Sequence, residues 1–157
     1  MFDYLLNKLS KYIKSGDLIG KTVEAEKVDG PLQVVFAKQY MGLEENRDTN
    51  KLKAILGVNP KSTPWCAAFV NAIENKCGRK GTGKMLARSF LNYGRSVVTP
   101  ESGDIVIFKR GNSSWQGHVG YYISEDKYNV LTLGGNQNNS VCYQKYSKEA
   151  VLAYRRP

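Results

Sequence analysis

The chain changes character once, at Pro100. Before it, apolar residues recur at spacings of three and four; after it, they come as short β-branched or aromatic runs at 105–108, 119–123, 128–133, 141–144 and 151–154, divided by Gly, Asn, Asp and Ser. The first pattern is that of amphipathic helices and the second that of short strands. Helices followed by strands, without alternation, imply an α+β fold with an antiparallel sheet rather than a parallel sheet built from βαβ units. With 157 residues the chain suits one domain with a real core.

The helical part divides at its glycines and prolines. Residues 2–14 place Phe2, Leu5, Leu6, Leu9, Tyr12 and Ile13 on one face and Lys8, Lys11 and Lys14 mostly on another, a basic amphipathic helix. Its expected role is to dock on the core; lying on a membrane surface is the alternative. It forms, with the connection that follows, a unit over 1–30, and the remaining globular unit covers 31–157. Pro31 opens a helix through Leu32, Val35, Phe36, Gln39 and Tyr40 to Gly42, and a second runs over 48–56 between Asp48 and Gly57. A third starts near Cys66 with a buried stripe of Cys66, Phe69, Val70, Ile73 and Cys77, closed by Gly78. Met85, Leu86, Phe90 and Leu91 suggest a fourth, ending near Gly94.

Several classes of function are disfavoured. No stretch approaches the roughly 20 apolar residues of a membrane span. The first residues lack the long apolar core and small-residue cleavage site of a secretory signal, so synthesis in the cytoplasm without a signal peptide is expected. One histidine and three dispersed cysteines offer no metal-ligand cluster, and Gly81-Thr82-Gly83-Lys84 is not a phosphate-binding loop, so neither metal nor other cofactor is expected. Cys66 and Cys77, eleven residues apart, would stand roughly 16 Å apart on one helix and cannot bridge; a Cys77–Cys142 pair stays open. The net charge of +9 suits an anionic partner. The sign alone does not choose among nucleic acid, an acidic lipid surface and an anionic cell-wall polymer, and Lys and Arg dispersed without a basic block suit a merely solvated surface better; a monomer is expected.

Cys66 heads a helix, His118 opens a strand after the loop 112–117, and the polar cluster Gly134-Gly135-Asn136-Gln137-Asn138 follows the next strand. All three can meet at one end of the sheet. A thiol there would attack a carbonyl carbon, an imidazole would take its proton and return it to the leaving amine, and a polar side chain would orient the ring. Unpaired amides at the start of the Cys66 helix would stabilise the oxyanion. The arrangement requires the Cys66 sulfur within hydrogen-bonding reach of a His118 nitrogen. Taken singly, each residue has a plainer reading: a small core cysteine, a loop histidine, an Asn/Gly turn.

Pro64-Trp65-Cys66-Ala67-Ala68-Phe69-Val70, Ser102-Gly103-Asp104-Ile105-Val106-Ile107-Phe108, Gly117-His118-Val119-Gly120 and Leu133-Gly134-Gly135-Asn136-Gln137, in this order, resemble the CHAP and NlpC/P60 papain-like superfamily, and more closely its small phage and bacterial members. The resemblance implies a papain-like α+β fold and cleavage of an amide bond in peptidoglycan, either between muramic acid and the stem peptide or within or between stem peptides. It assigns Cys66 as nucleophile, His118 as general base and Asn136 as the orienting residue. Family members often carry a glutamate two residues before that asparagine, where this chain has Gly134. Asp104 is read as structural. Trp65 lines the cleft or packs beside the nucleophile, and Gln137 is a further candidate for the cleft or the oxyanion site. A cysteine peptidoglycan hydrolase of endolysin or virion-associated type is therefore expected, its basic surface drawn to an anionic cell envelope rather than to nucleic acid, reaching the wall by holin release or in the particle. An injected antibacterial effector of the same chemistry, a non-catalytic basic binding module and a protein-cutting papain-like protease are the alternatives.

Overall fold

Six antiparallel strands form one sheet whose spatial order differs from their order in the chain. The strands are β1 (Arg95–Val97), β2 (Ile105–Lys109), β3 (Gly117–Glu125), β4 (Asn129–Gln137), β5 (Ser140–Ser147) and β6 (Val151–Arg156). They lie in the order β1-β6-β2-β3-β4-β5, so the last strand inserts between the first two. The structure, a computed structural model, describes residues 30–157; the basic helix expected over 2–14 and the connection as far as residue 29 lie outside the described residues.

Alternation along the strands gives the sheet two apolar faces. Ile105, Ile107, Val119, Tyr121 and Leu133 face the helices. Val106, Phe108, Tyr122 and Val130 form a smaller cluster covered by Tyr146, Ala150, Val151 and Tyr154. Burial on both faces explains why β2 reads as an unbroken apolar run, with Ile105 to Phe108 all buried. The sequence reading found five of these strands. It missed β1, three residues of which two are exposed, because its burial pattern carries no alternation to detect.

Three helices precede the sheet: α1 (Leu32–Lys38), α2 (Thr49–Leu56) and α3 (Cys66–Lys76). Among the described residues, no helix is long and apolar enough to cross a membrane. Helix α3 is pressed between the other helices and the sheet, and Ala67, Ala68, Phe69, Val70 and Ile73 are all buried. Each large apolar side chain so buried contributes roughly 1.5–3 kcal/mol. The approach is close enough to require a glycine opposite: a Cβ on Gly135 would stand 2.6 Å from Trp65 Cζ3 and 2.7 Å from Phe69 Cβ.

Two polar residues of α3 that a simple helical stripe would place outside are buried. Asn71 Oδ1 accepts from the amides of Thr82 (2.8 Å) and Gly83 (3.1 Å), while its Nδ2 donates to Lys84 O (2.9 Å). Glu74 accepts two bonds from Arg79 and one hydroxyl each from Tyr93 (2.8 Å) and Tyr121 (2.9 Å). Cys77, expected in the stripe, is only half-buried, and all three cysteines are free, so Cys77 and Cys142 are not bridged. The fourth helix expected from Met85 is corrected: Leu86 is extended and only a 3-10 turn forms, over Ala87–Asn92. Helices first and an antiparallel sheet second make an α+β fold consistent with papain-like architecture.

Candidate active site

Cys66 is the first residue of α3, where helix amides lack intrahelical acceptors. The amide of Val119 on β3, that of Ala67 and the N–H of Cys66 itself lie on the side of the sulfur. These groups favour a thiolate, as does the charge of Arg110, but burial outweighs them and pushes the thiol above its ordinary range. Cys66 is 5% exposed. Burial thus favours the neutral thiol at rest.

His118 lies next to Val119 and is also buried. Its Nε2 is 2.9 Å from Gln137 Oε1. The orientation of that amide follows from its other end: Gln137 Nε2 lies 2.6 Å from Cys142 O and 3.3 Å from Thr132 O, and both can only accept. The oxygen must therefore face the ring, and a carbonyl oxygen requires His118 Nε2 to carry the proton. Nδ1 is left with its lone pair, and it is buried with no hydrogen-bond partner. His118 Nδ1 has no hydrogen-bond partner, so the expected bond to the Cys66 sulfur is not formed; α3 and β3 are joined by direct packing, with the Val119 amide on the side of the thiol.

The ring is packed as well as hydrogen-bonded. Tyr146 lies 4.9 Å from it, centroid to centroid, and Phe108 stacks at 6.2 Å. Burial lowers the imidazole from 6.5 to about 4, against the opposing effect of Gln137, and the nearby Arg110 charge lowers it further. Arg110 acts on Cys66, His118 and the Tyr146 phenol alike, and Cys66 acts on that phenol, which places the four groups in one cluster.

The ring partner is thus Gln137 and not the expected Asn136. Strand β4 pairs Gly134 with Cys142 but Gln137 with Ser140, so it carries one extra residue across this stretch, and Asn136 adopts φ 57°. This bulge turns Asn136 aside and hands its place in the alternation to Gln137. Of the two readings of Trp65 the structure favours packing over cleft wall: it is fully buried, with Nε1 donating to Glu45 Oε2 at 3.0 Å, and forms core beside Cys66. Asp104 is structural, accepting the Arg156 guanidinium through both oxygens at 2.7 and 2.8 Å.

A cleft of about 230 Å³ opens over Cys66, walled by Pro64, Met85, Leu86, Arg110, Trp115 and Gln116. Met85 and Leu86 are 40% and 43% exposed, and Trp115 60%. Arg88 fastens the loop that carries Trp115, donating from Nε to Gln116 O (2.8 Å) and from Nη2 to Ser113 O (2.6 Å). The sequence reading missed these wall residues. One signal was available: Trp115 stands alone among Gly, Asn, Ser and Gln, where no core periodicity explains an indole. Among the described residues, no group of three or more His, Cys, Asp or Glu is placed to hold a metal ion.

A sequence model of the CHAP domain matches residues 58–136, about half of the chain, a span that includes Cys66, His118 and the cleft walls. No curated protein matches the chain.

Proposed function

Because the chain belongs to the CHAP domain family, we propose that it is a cysteine hydrolase that cuts an amide bond of the peptidoglycan stem peptide, as an amidase or an endopeptidase, in the role of a phage endolysin or virion-associated lysin. Family membership suggests peptidoglycan amidase or endopeptidase activity. The observation that best supports the cysteine chemistry is the fixed tautomer of His118: Gln137 takes the Nε2 proton as its hydrogen bond and leaves Nδ1 as a base.

In this reading the substrate carbonyl enters the cleft over Cys66, and the thiol and Nδ1 close to hydrogen-bonding distance as it does so. The sulfur attacks the carbonyl carbon while its proton passes to Nδ1. The negative charge that develops on the carbonyl oxygen is met by unpaired amides at the start of α3. Collapse breaks the carbon–nitrogen bond, and the Nδ1 proton goes to the leaving amine, giving a thioester. A water molecule, deprotonated by the same nitrogen, then releases the carboxylic acid and the free thiol. A buried imidazole is a weak base, yet its conjugate acid is correspondingly strong, which suits delivery of a proton to an amine leaving group.

The net charge of +9 favours attraction to an anionic envelope. Synthesis would be cytoplasmic, with access to the wall by holin release, in the particle or by injection. Turbidity loss of purified sacculi, with mass spectrometry of the released fragments, tests the assignment: the wild-type chain is expected to release peptides with a new amine end and to leave the matching carboxyl on the muramic-acid lactyl group or on the remaining stem peptide. Cys66→Ala and His118→Ala are expected to release none while keeping the wild-type circular-dichroism spectrum. Full lysis by both variants would refute the assignment.

A further inference from the structure

We infer that Arg110 is a substrate-reading residue, whose guanidinium binds a carboxylate carried by the substrate close to the scissile amide. The inference names the substrate class of the site just proposed and rests on that reading.

Arg110 is the one charged residue, among those described, that lines the cleft over Cys66; the walls beside it are Pro64, Met85, Leu86, Ala87 and Trp115, with Gln116 and Gly117 completing it. The other arginines discussed above are engaged: Arg79 with Glu74, Arg88 with the 113–116 loop, Arg156 with Asp104. Among the described residues Arg110 has no ion pair and no side-chain hydrogen bond, and it is exposed at the end of β2. At the rim of an otherwise apolar cleft, one exposed cation without a protein partner favours a ligand that carries one anionic group over a neutral one, because only the anion exchanges solvent for a charge-assisted hydrogen bond. Guanidinium and carboxylate match as planar, two-pronged partners.

Its position relative to the chemistry sets which carboxylate. Arg110 and Cys66 line the same cleft, so a carboxylate held by the guanidinium shares that cleft with the amide presented to the sulfur. A carboxylate bound there lies beside the reacting amide, not several residues along the stem. Stem peptides with a free carboxylate next to the cleaved bond are the preferred class, and those with that carboxyl amidated are the poor ones.

Two measurements test this, and the first is independent of peptidoglycan. Cys66 is alkylated with anionic iodoacetate and with neutral iodoacetamide at one pH, and its own peptide is followed by mass spectrometry so that Cys77 and Cys142 do not contribute. In Arg110→Ala the iodoacetate rate is expected to fall on the order of fourfold relative to the iodoacetamide rate, the effect of losing one unit charge at ion-pair range in water; Arg110→Lys should keep part of the preference. An equal fall with both reagents means that Arg110 only tunes the thiol, and an unchanged ratio means that it recognises nothing; either result overturns the inference. The second measurement compares muropeptides that differ only in that carboxylate being free or amidated. Arg110→Ala should raise KM roughly tenfold or more for the free acid and change it little for the amide. Equal losses on both would overturn it. Failure of the wild-type chain to cut any muropeptide would tell against the hydrolase reading, and the alkylation ratio would still decide whether Arg110 attracts an anion to Cys66.

Discussion

Gly134 makes room for the amide of Gln137: a Cβ on the glycine would stand 2.9 Å from Gln137 Oε1 and 3.2 Å from its Cδ. Gly134 is therefore matched to the glutamine three residues on. One side chain fills the space beside the histidine, and in this chain it comes from Gln137.

Gly134→Ala should accordingly displace the Gln137 amide from His118. Crowding of this kind costs about 1–3 kcal/mol, and the expected loss of hydrolytic rate is tenfold or more. In a Gln137→Ala background the same change should cost little further, because the group it displaces is gone. A full double-mutant cycle in rate and in urea midpoint checks this; additive losses would contradict the matched pair.

Gln137 and Asn136 should differ sharply. Gln137→Ala leaves His118 Nε2 and two carbonyls without their partner, with an expected cost of about 1–3 kcal/mol in stability and a larger loss in kcat. Asn136→Ala removes no bond to the ring; its cost is that of a left-handed residue without an asparagine side chain, roughly 1 kcal/mol. Asn136→Gly should be close to neutral in both stability and kcat. Parallel melts and sacculus assays of the three variants would decide between the two neighbours.

Stability should fall on acidification through a defined window. The His118 pKa in the fold, about 4, lies below the 6.5 of an unperturbed imidazole, so between these values the unfolded chain binds more protons than the folded one. The His118 contribution is therefore fully present above about pH 6.5 and lost progressively as pH falls to about 4, by on the order of 3 kcal/mol. Urea unfolding at pH 7 and pH 4.5 measures it, and His118→Gln should flatten the difference.

Cys66 should behave as a protected thiol at rest. Burial raises its pKa above the ordinary thiol value, so alkylation by iodoacetamide should be slow at pH 7 and climb into the alkaline range. A rate already at its plateau near pH 6 would indicate a resting thiolate–imidazolium pair instead.

Glu74 is the residue on which the middle of the fold depends. Its carboxylate is fully buried and is held by Arg79, Tyr93 and Tyr121. Glu74→Ala strands a half-buried guanidinium and two hydroxyls, and about 3–5 kcal/mol of stability should be lost, read as a shift of the urea midpoint. Tyr93→Phe, which removes one hydroxyl at the margin of this network, should cost about 1 kcal/mol.

The order of elements, the start of the helix that carries Cys66 and the presence of a single histidine were legible in the residues themselves. Periodicity reports which side of an element is apolar, and motif order reports ancestry, so the α+β class and the positions of Cys66 and His118 followed from them. Three features depended on the tertiary structure. The bulge in β4 moved the ring partner from Asn136 to Gln137, since strand alternation holds only while the ladder is regular. Burial of Asn71 and Glu74 on the inner side of α3 was decided by partners on distant segments, which a helical stripe does not contain. The cleft walls Arg110, Trp115, Met85 and Leu86 come from separate segments that the sheet and the Arg88 clamp bring together, and whether a charge or an indole faces a nucleophile is a property of that assembly, not of local spacing.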